Sequence, residues 1–297
     1  MDSHGVEIEH HTYTNKVNFD AVCALPPVMR IIAVRTENME MYDNKDTFEK
    51  TFDENFLPEH LRQAQWAEFV ELKKIIAEHF QQQGSPISML DIGVGNGRII
   101  KHLHPITEIW EMIGSYDAID NVQACVDVTK HLIETLAIEN TVRVNLLDAT
   151  RLDSLEKRYD LIISTWFTPG NLYPDNFPFD TYDSTLNSYS LETNRKFTHV
   201  FMAAYEKLNP HGELVLGSTY LDNHATREKQ ERFYRHFGMH VITGEKDSFT
   251  ATKELMWSQR FTPERFLAYL REIPRSNFSF IRLDPYEFAV MVRIQKP

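Results

Sequence analysis

The chain has 297 residues, 42% hydrophobic and 25% charged, enough for one large α/β core with additions rather than a string of small domains. Its 43 acidic against 31 basic residues give a formal charge of −12, a surface that repels phosphate backbones and so counts against nucleic acid as a partner. Two cysteines, Cys23 and Cys125, cannot build a disulfide framework, and no apolar run approaches the roughly 18 residues that span a bilayer, so a cytoplasmic protein without a membrane partner is expected.

Residues 1–60 are polar at the start (MDSHGVEIEHHTYTN), lack the basic and apolar regions of a secretory signal, and show only a short helical pattern near 47–52. They are expected to form an N-terminal cap preceding the main domain, 61–297. Residues 61–80 carry Trp66, Phe69, Val70, Ile76 and Phe80 at helical spacing, predicting a helix that packs this stripe into the core and stops near Gly84. Next comes an apolar run, 87–92, closing on Asp91, then Gly93, Gly95 and Gly97, then a helical pattern from Ile99. A strand, a glycine loop and a helix in that order bring ligand atoms against backbone and a positive helix end. The dinucleotide fingerprint would need glycine at 98, where this chain has Arg98. His102 and His104 follow on that helix without zinc or iron spacing, so no metal is expected.

Further strands are expected at 112–118, 142–147, 159–164 and 213–218, alternating with helical patterns, which argues for a mostly parallel sheet flanked by helices. The first of these ends in Asp117, about where a ribose-binding acid stands in dinucleotide sites, with Asp120 as a competing choice; Asp117 is favoured because it directly closes the apolar run. The next ends in Asp148 and Ala149, where an N-cap role is equally open to the acid. A helix is expected over 197–207. The final pair, 278–283 and 287–294, is joined by Asp284 and Pro285 and must pair antiparallel, because a parallel crossover needs a dozen or more residues. Segments 166–194 and 221–261 leave the ends of the fourth and fifth strands, where open α/β sheets bind ligands, so they are expected to form a cap enclosing a small-molecule pocket.

The set DIGVGNG, MIGSYDA, VRVNLLDAT, YDLIIST and KLNPHGELVL, in this order, resembles the motifs of class I S-adenosylmethionine-dependent methyltransferases over residues 85–220. His211 departs from the family's L-x-P-G-G turn by replacing its first glycine. The resemblance implies a Rossmann-like, seven-stranded, mostly parallel sheet of order 3-2-1-4-5-7-6 with helices on both faces. It implies S-adenosyl-L-methionine as cofactor, with Asp91, Gly93, Gly95 and Gly97 at its methionine portion, Asp117 at the ribose, Asp148 and Ala149 at the adenine, and Ser164 and Thr165 beside it. Ser164-Thr165-Trp166-Phe167 lacks the D/N-P-P-Y/F of enzymes that methylate exocyclic amines of bases. The implied activity is methyl transfer to nitrogen or oxygen of a small molecule by in-line displacement. Alternatives are a protein or peptide methyltransferase and a non-catalytic S-adenosylmethionine-binding protein; a homodimer fits either.

For the acceptor, Trp166 directly follows a strand and is expected in the pocket floor, with Tyr173 in the aromatic stretch behind it. Arg260 is a candidate for a substrate carboxylate, although a pairing with a nearby acid is the plainer reading. His199, on the helix before the fifth strand, is the candidate proton acceptor, and Tyr42, in MEMYDNKD, is placed over the cofactor as an N-terminal Tyr is in some small-molecule methyltransferases.

Overall fold

A run buried on both faces belongs inside a parallel sheet, and β1 (Ile87–Ile92), buried at every position but Ser88, lies between β2 (Ile113–Asp120) and β4 (Tyr159–Ser164). The computed structural model describes residues 57–186, 189–283 and 288–297; Tyr42, nearly all of the expected N-terminal cap, and the turn residues Asp284 and Pro285 lie outside them. β3 (Val142–Leu146) joins β2, and β5 (Leu208–Leu221) joins β4, all parallel. Along the far edge of β5 runs β9 (Ala289–Gln295), antiparallel, with β8 (Phe278–Arg282) outside it. These seven strands reproduce the expected order.

The sheet nevertheless has nine strands rather than seven. Residues 221–261 supply β6 (Phe249–Ala251) and β7 (Trp257–Phe261), an antiparallel pair, and β7 runs parallel to the last two residues of β5. Tyr220 pairs with Arg260 on one edge and Ala289 on the other, so β7 occupies the β4 side of β5, beyond the point where β4 ends. The insertion thus extends the sheet directly over the carboxyl end of β4.

Alternation along the strands feeds two cores. Met89, Leu161, Ile163 and Val215 face α1 (Glu59–Gln83), α2 (Arg98–Leu103) and α4 (Gln123–Leu136), with the short α3 (Thr107–Trp110) beside them. Leu90, Ile162, Leu214 and Leu216 face α5 (Arg195–Glu206) and α7 (Pro263–Tyr269). α6 (His224–His236) lies in the insertion. Asn194, Asn223 and Thr262 cap α5, α6 and α7 by accepting backbone N–H bonds, and Gly84 ends α1 at φ 66. A third, aromatic cluster joins both insertions: Phe177, Tyr182 and Leu191 from the first pack on Phe249, Ala251 and Trp257 from the second.

The buried stripe of α1 is offset from the expected one. Trp66 is 60% exposed, whereas Gln65, Glu68 and His79 are buried among Leu61, Leu72 and Ile75. Polar residues take these positions because each meets a partner or a cavity. His79 Nε2 lies 3.3 Å from Glu213 Oε2, and Arg293 clasps the same carboxylate at 2.5 and 2.9 Å while its Nη2 also reaches Glu78 at 2.8 Å. Burial pushes the Glu213 carboxyl up, but bonds from Arg293 and His79 prevail and hold it below the usual glutamate range. A carboxyl held low in the folded state stabilises the fold above its unfolded value and loses that contribution as pH falls. Glu213→Gln is therefore expected to lower stability near neutral pH by about 3 kcal/mol, and thermal melts of the variant should vary less with pH in the acid range than those of the parent.

Candidate functional site

The loop after β1 needs glycine for two reasons. Gly93, Gly95 and Gly97 have φ of 79, 57 and 73, the left-handed region, and a Cβ at Gly93 would lie 2.6 Å from Thr168 Cγ2. Its amides are largely engaged within the protein: Gly93 and Val94 donate to Ile119 O at 2.9 and 3.1 Å, Gly95 to Asp120 Oδ2 at 2.9 Å, and Gly97 to Val94 O at 3.1 Å. The Thr129 hydroxyl donates to Gly95 O at 2.9 Å, pinning the loop to α4. A loop so bonded offers surface for close approach rather than a nest of amides for a pyrophosphate.

Above it lies a cavity of about 300 Å³. Leu147, Asp148, Ala149, Val122 and Cys125 line one part; Gly93 to Asn96, Asp120, Ser164 and Thr165 line another; Trp166, Tyr220, Phe233, Tyr234, Met256 and Ser258 line a third, mostly aromatic part beneath the insertion. Arg98 and Gln65 also face it.

The acids divide clearly. Asp117 does not reach the cavity: its Oδ2 accepts from Lys157 Nζ at 2.8 Å on the opposite face of β2. β2 continues two residues past the expected end, so Asp120, on the parity of Tyr116 and Ala118, enters the site instead. Asp120 accepts from Gly95 N and from Val122 N, each at 2.9 Å, and burial raises its carboxyl in spite of them. Asp148 lines the cavity and also caps the 3₁₀ turn Ala149–Ser154, its Oδ1 accepting from the Thr150 amide at 2.8 Å and hydroxyl at 2.6 Å. Asp91 lies behind the loop, 1% exposed; the Tyr116 hydroxyl donates to its Oδ2 at 2.7 Å and its Oδ1 has no hydrogen-bond partner among the described residues.

After β4 the chain makes an abrupt turn, with Trp166 at φ 54 and Phe167 at φ 62. The Trp166 amide donates to Glu68 Oε2 at 3.1 Å, Arg98 Nη2 donates to Glu68 Oε1 at 2.9 Å, and the Arg98 guanidinium sits 5.0 Å from the Trp166 ring centroid. Phe167 stacks on Tyr220 at 3.9 Å and 11°. Trp166 lines the cavity.

Three other expectations are corrected. Arg260 is 1% exposed and consumed by the insertion, donating to Gln230 at 2.7 Å, Thr250 at 2.8 Å, Asp222 at 3.3 Å and the Asp247 carbonyl, so it is not positioned for a substrate carboxylate. His199 lies exposed outside the cavity, 2.8 Å from Thr150 O, which removes it as proton acceptor. Tyr173 belongs to the aromatic cluster, under Lys196 at 4.5 Å and edge-on to Phe179, not to the cavity wall. Sequence reasoning missed Glu68, Arg98, Phe233 and Tyr234. Arg98 alone had a signal, its place beside the last glycine.

No family model matches the chain, and no curated protein matches it either. Solved structures do. Magnesium protoporphyrin IX methyltransferase from Synechocystis PCC 6803 with bound SAH aligns at a TM-score of 0.50 and 12% identity, over 86% of this chain and 97% of that one. An S-adenosylmethionine-dependent methyltransferase from Clostridium acetobutylicum ATCC 824 aligns at 0.50 and 10% identity, over 86% and 98%. The fold is that of the class I methyltransferases. Relative to the minimal methyltransferase sheet, this chain adds β6 and β7.

Burial drives the Asp91 carboxyl up to about 7, against the lowering effect of the Tyr116 hydrogen bond and the Arg98 charge. Tyr116→Phe removes the leading counterweight, so the Asp91 midpoint should move above about 7 in a carbon-13 carboxyl titration; an unchanged or lower midpoint contradicts the assignment.

Proposed function

We propose that the cavity binds S-adenosylmethionine and that the protein transfers its methyl group to nitrogen or oxygen of a small molecule enclosed by the 166–194 and 221–261 segments. The observation that carries this reading is the single cavity joining the glycine loop and the acids Asp120 and Asp148 to an aromatic chamber under the insertion. The methyltransferase fold supports it, as does the character of the loop. With its amides engaged and two acids facing the same space, the site disfavours a pyrophosphate and suits a ligand with hydroxyl, amino and cationic groups.

In this reading Asp120, not Asp117, takes the ribose hydroxyls, Asp148 and Ala149 take the adenine edge, and the glycine loop lies along the methionine portion. Arg98, which faces the cavity, suits that portion's carboxylate, while Asp91 keeps an unpartnered Oδ1 behind the loop but does not itself line the cavity. When bound, the cofactor supplies an electrophilic methyl group on a positively charged sulfur. The residues of this chain then hold the acceptor in line and exclude water, which contributes several kcal/mol through alignment.

Burial lifts the Tyr234 hydroxyl to about 12 and the Tyr220 hydroxyl well above its usual value, so both remain protonated hydrogen-bond donors near neutral pH. With no histidine in the described wall, the arrangement favours an acceptor atom that arrives with a free lone pair. A cytoplasmic location is part of this reading, and among the described residues no helix is long and apolar enough to cross a membrane.

Isothermal titration with S-adenosylhomocysteine tests the reading. The parent protein should bind; Asp120→Ala should weaken binding by about 10- to 100-fold, the range for lost bonds to a charged group; Asp117→Asn should leave it within about threefold. Absence of binding by the parent, or equal losses in both variants, overturns the site. Labelled cofactor incubated with a metabolite extract should then yield a labelled small product; labelled protein, or binding without turnover, overturns the small-molecule transfer.

A further inference from the structure

We propose that Glu68 is a positioning residue: its carboxylate, delivered from α1, holds the left-handed Trp166–Phe167 turn in place and ties that wall of the chamber to Arg98 at the glycine loop. Calling that wall the acceptor's rests on the function proposed above; the positioning itself stands on geometry alone.

Four elements converge on this carboxylate. Glu68 is fully buried on α1. One oxygen takes the Trp166 amide from the turn after β4, the other takes Arg98 from the start of α2. β5 makes the space: a Cβ on Gly217 would fall 2.4 Å from Glu68 Oε2 and 3.0 Å from its Cδ. Gly217 is not in the left-handed region, so room for the carboxylate, not backbone freedom, is what a side chain there would remove. Bulky residues with positive φ persist only where their surroundings over-determine them. Two stand in succession here, and the charged acceptor on the Trp166 amide is the polar contact that fixes the first. The same carboxylate steadies the guanidinium that lies over the Trp166 ring, so backbone and ring are held through one group. Glu68 does not itself line the cavity. It acts through Trp166.

The chain has four tryptophans, Trp66, Trp110, Trp166 and Trp257, which makes fluorine NMR of 5-fluorotryptophan-labelled protein a direct readout, with Trp166→Phe assigning the relevant resonance. In ligand-free protein, Glu68→Gln should shift or broaden the Trp166 resonance while Trp110 and Trp257 stay within their parent line widths. Gly217→Ala, which displaces the carboxylate without removing it, should do the same. It also decides the matter if Glu68→Gln does not fold. A Trp166 resonance unchanged in either folded variant, or all four resonances moving together, overturns the proposal. Failure of the parent to bind S-adenosylhomocysteine would overturn the proposed function but not this result, since the comparison is made without ligand.

Discussion

The reversal of strand order on either side of β1 is the constraint on which the site depends. β1 pairs with β2 on one edge and with β4 on the other, and the chain leaves those strands toward different faces: through α2 into the core shared with α1 and α4, and through the insertion and α5 into the opposite core. Where neighbouring connections diverge, a crevice opens at the carboxyl ends of the strands. In this chain both of its lips are tightly shaped. The glycine loop closes against Thr168 and the end of β2, and the turn after β4 bends back through two left-handed residues.

The insertion converts that crevice into a chamber by simple sheet logic. β4 ends at Ser164, whereas β5 runs on to Leu221, so the β4-facing edge of β5 would be left with unpaired backbone groups. β7 pairs there through Tyr220 and Leu221 and brings Met256 and Ser258 to the cavity wall. Gly170 allows this close approach, since a Cβ on it would lie 3.0 Å from Gln259 O. Arg260, fully buried in β7, binds α6, β6 and the end of β5 together, which is why it serves the scaffold and not a substrate.

Much of this was legible in the residues, and the failures share a cause. Apolar runs bounded by turn residues located β1 and β4 to the residue, and the closing hairpin followed from connection length. Asp117 was mistaken for Asp120 because the apolar run was cut at Ala118. Counting the pleat onward through Ile119 puts Asp120 on the buried face of Tyr116 and Ala118, and Asp117 on the other. On α1 the hydrophobic stripe pointed to Trp66 because Gln65, Glu68 and His79 look like surface residues. Glu68 and His79 are buried only because Arg98, the Trp166 amide and Glu213, all at least 30 positions away in the chain, complete them, while Gln65 faces the cavity. Local pattern carries no record of such partners. His211 shows the converse: it stands where glycine is usual and simply adopts φ 62.

Energetics explain why the two ends of the cavity should differ in rigidity. The glycine loop reaches its left-handed conformations without a Cβ penalty and is bonded through the amides of Gly93, Val94, Gly95 and Gly97. The opposite wall starts from a deficit: two non-glycine left-handed residues cost on the order of 1–2 kcal/mol each. Against this stand a charged hydrogen bond of about 1.5–3 kcal/mol and the Phe167–Tyr220 stack of about 0.5–1.5 kcal/mol. These contacts, with the Arg98 guanidinium over the Trp166 ring, offset the strain, so the shape of the Trp166 wall depends on them. The structure therefore combines a fixed half, whose conformation glycine makes inexpensive, with a half whose shape is set by a few removable contacts. That division lets the shape of the Trp166 wall change through Glu68, Arg98 or Tyr220 while the loop beside Asp120 keeps its form.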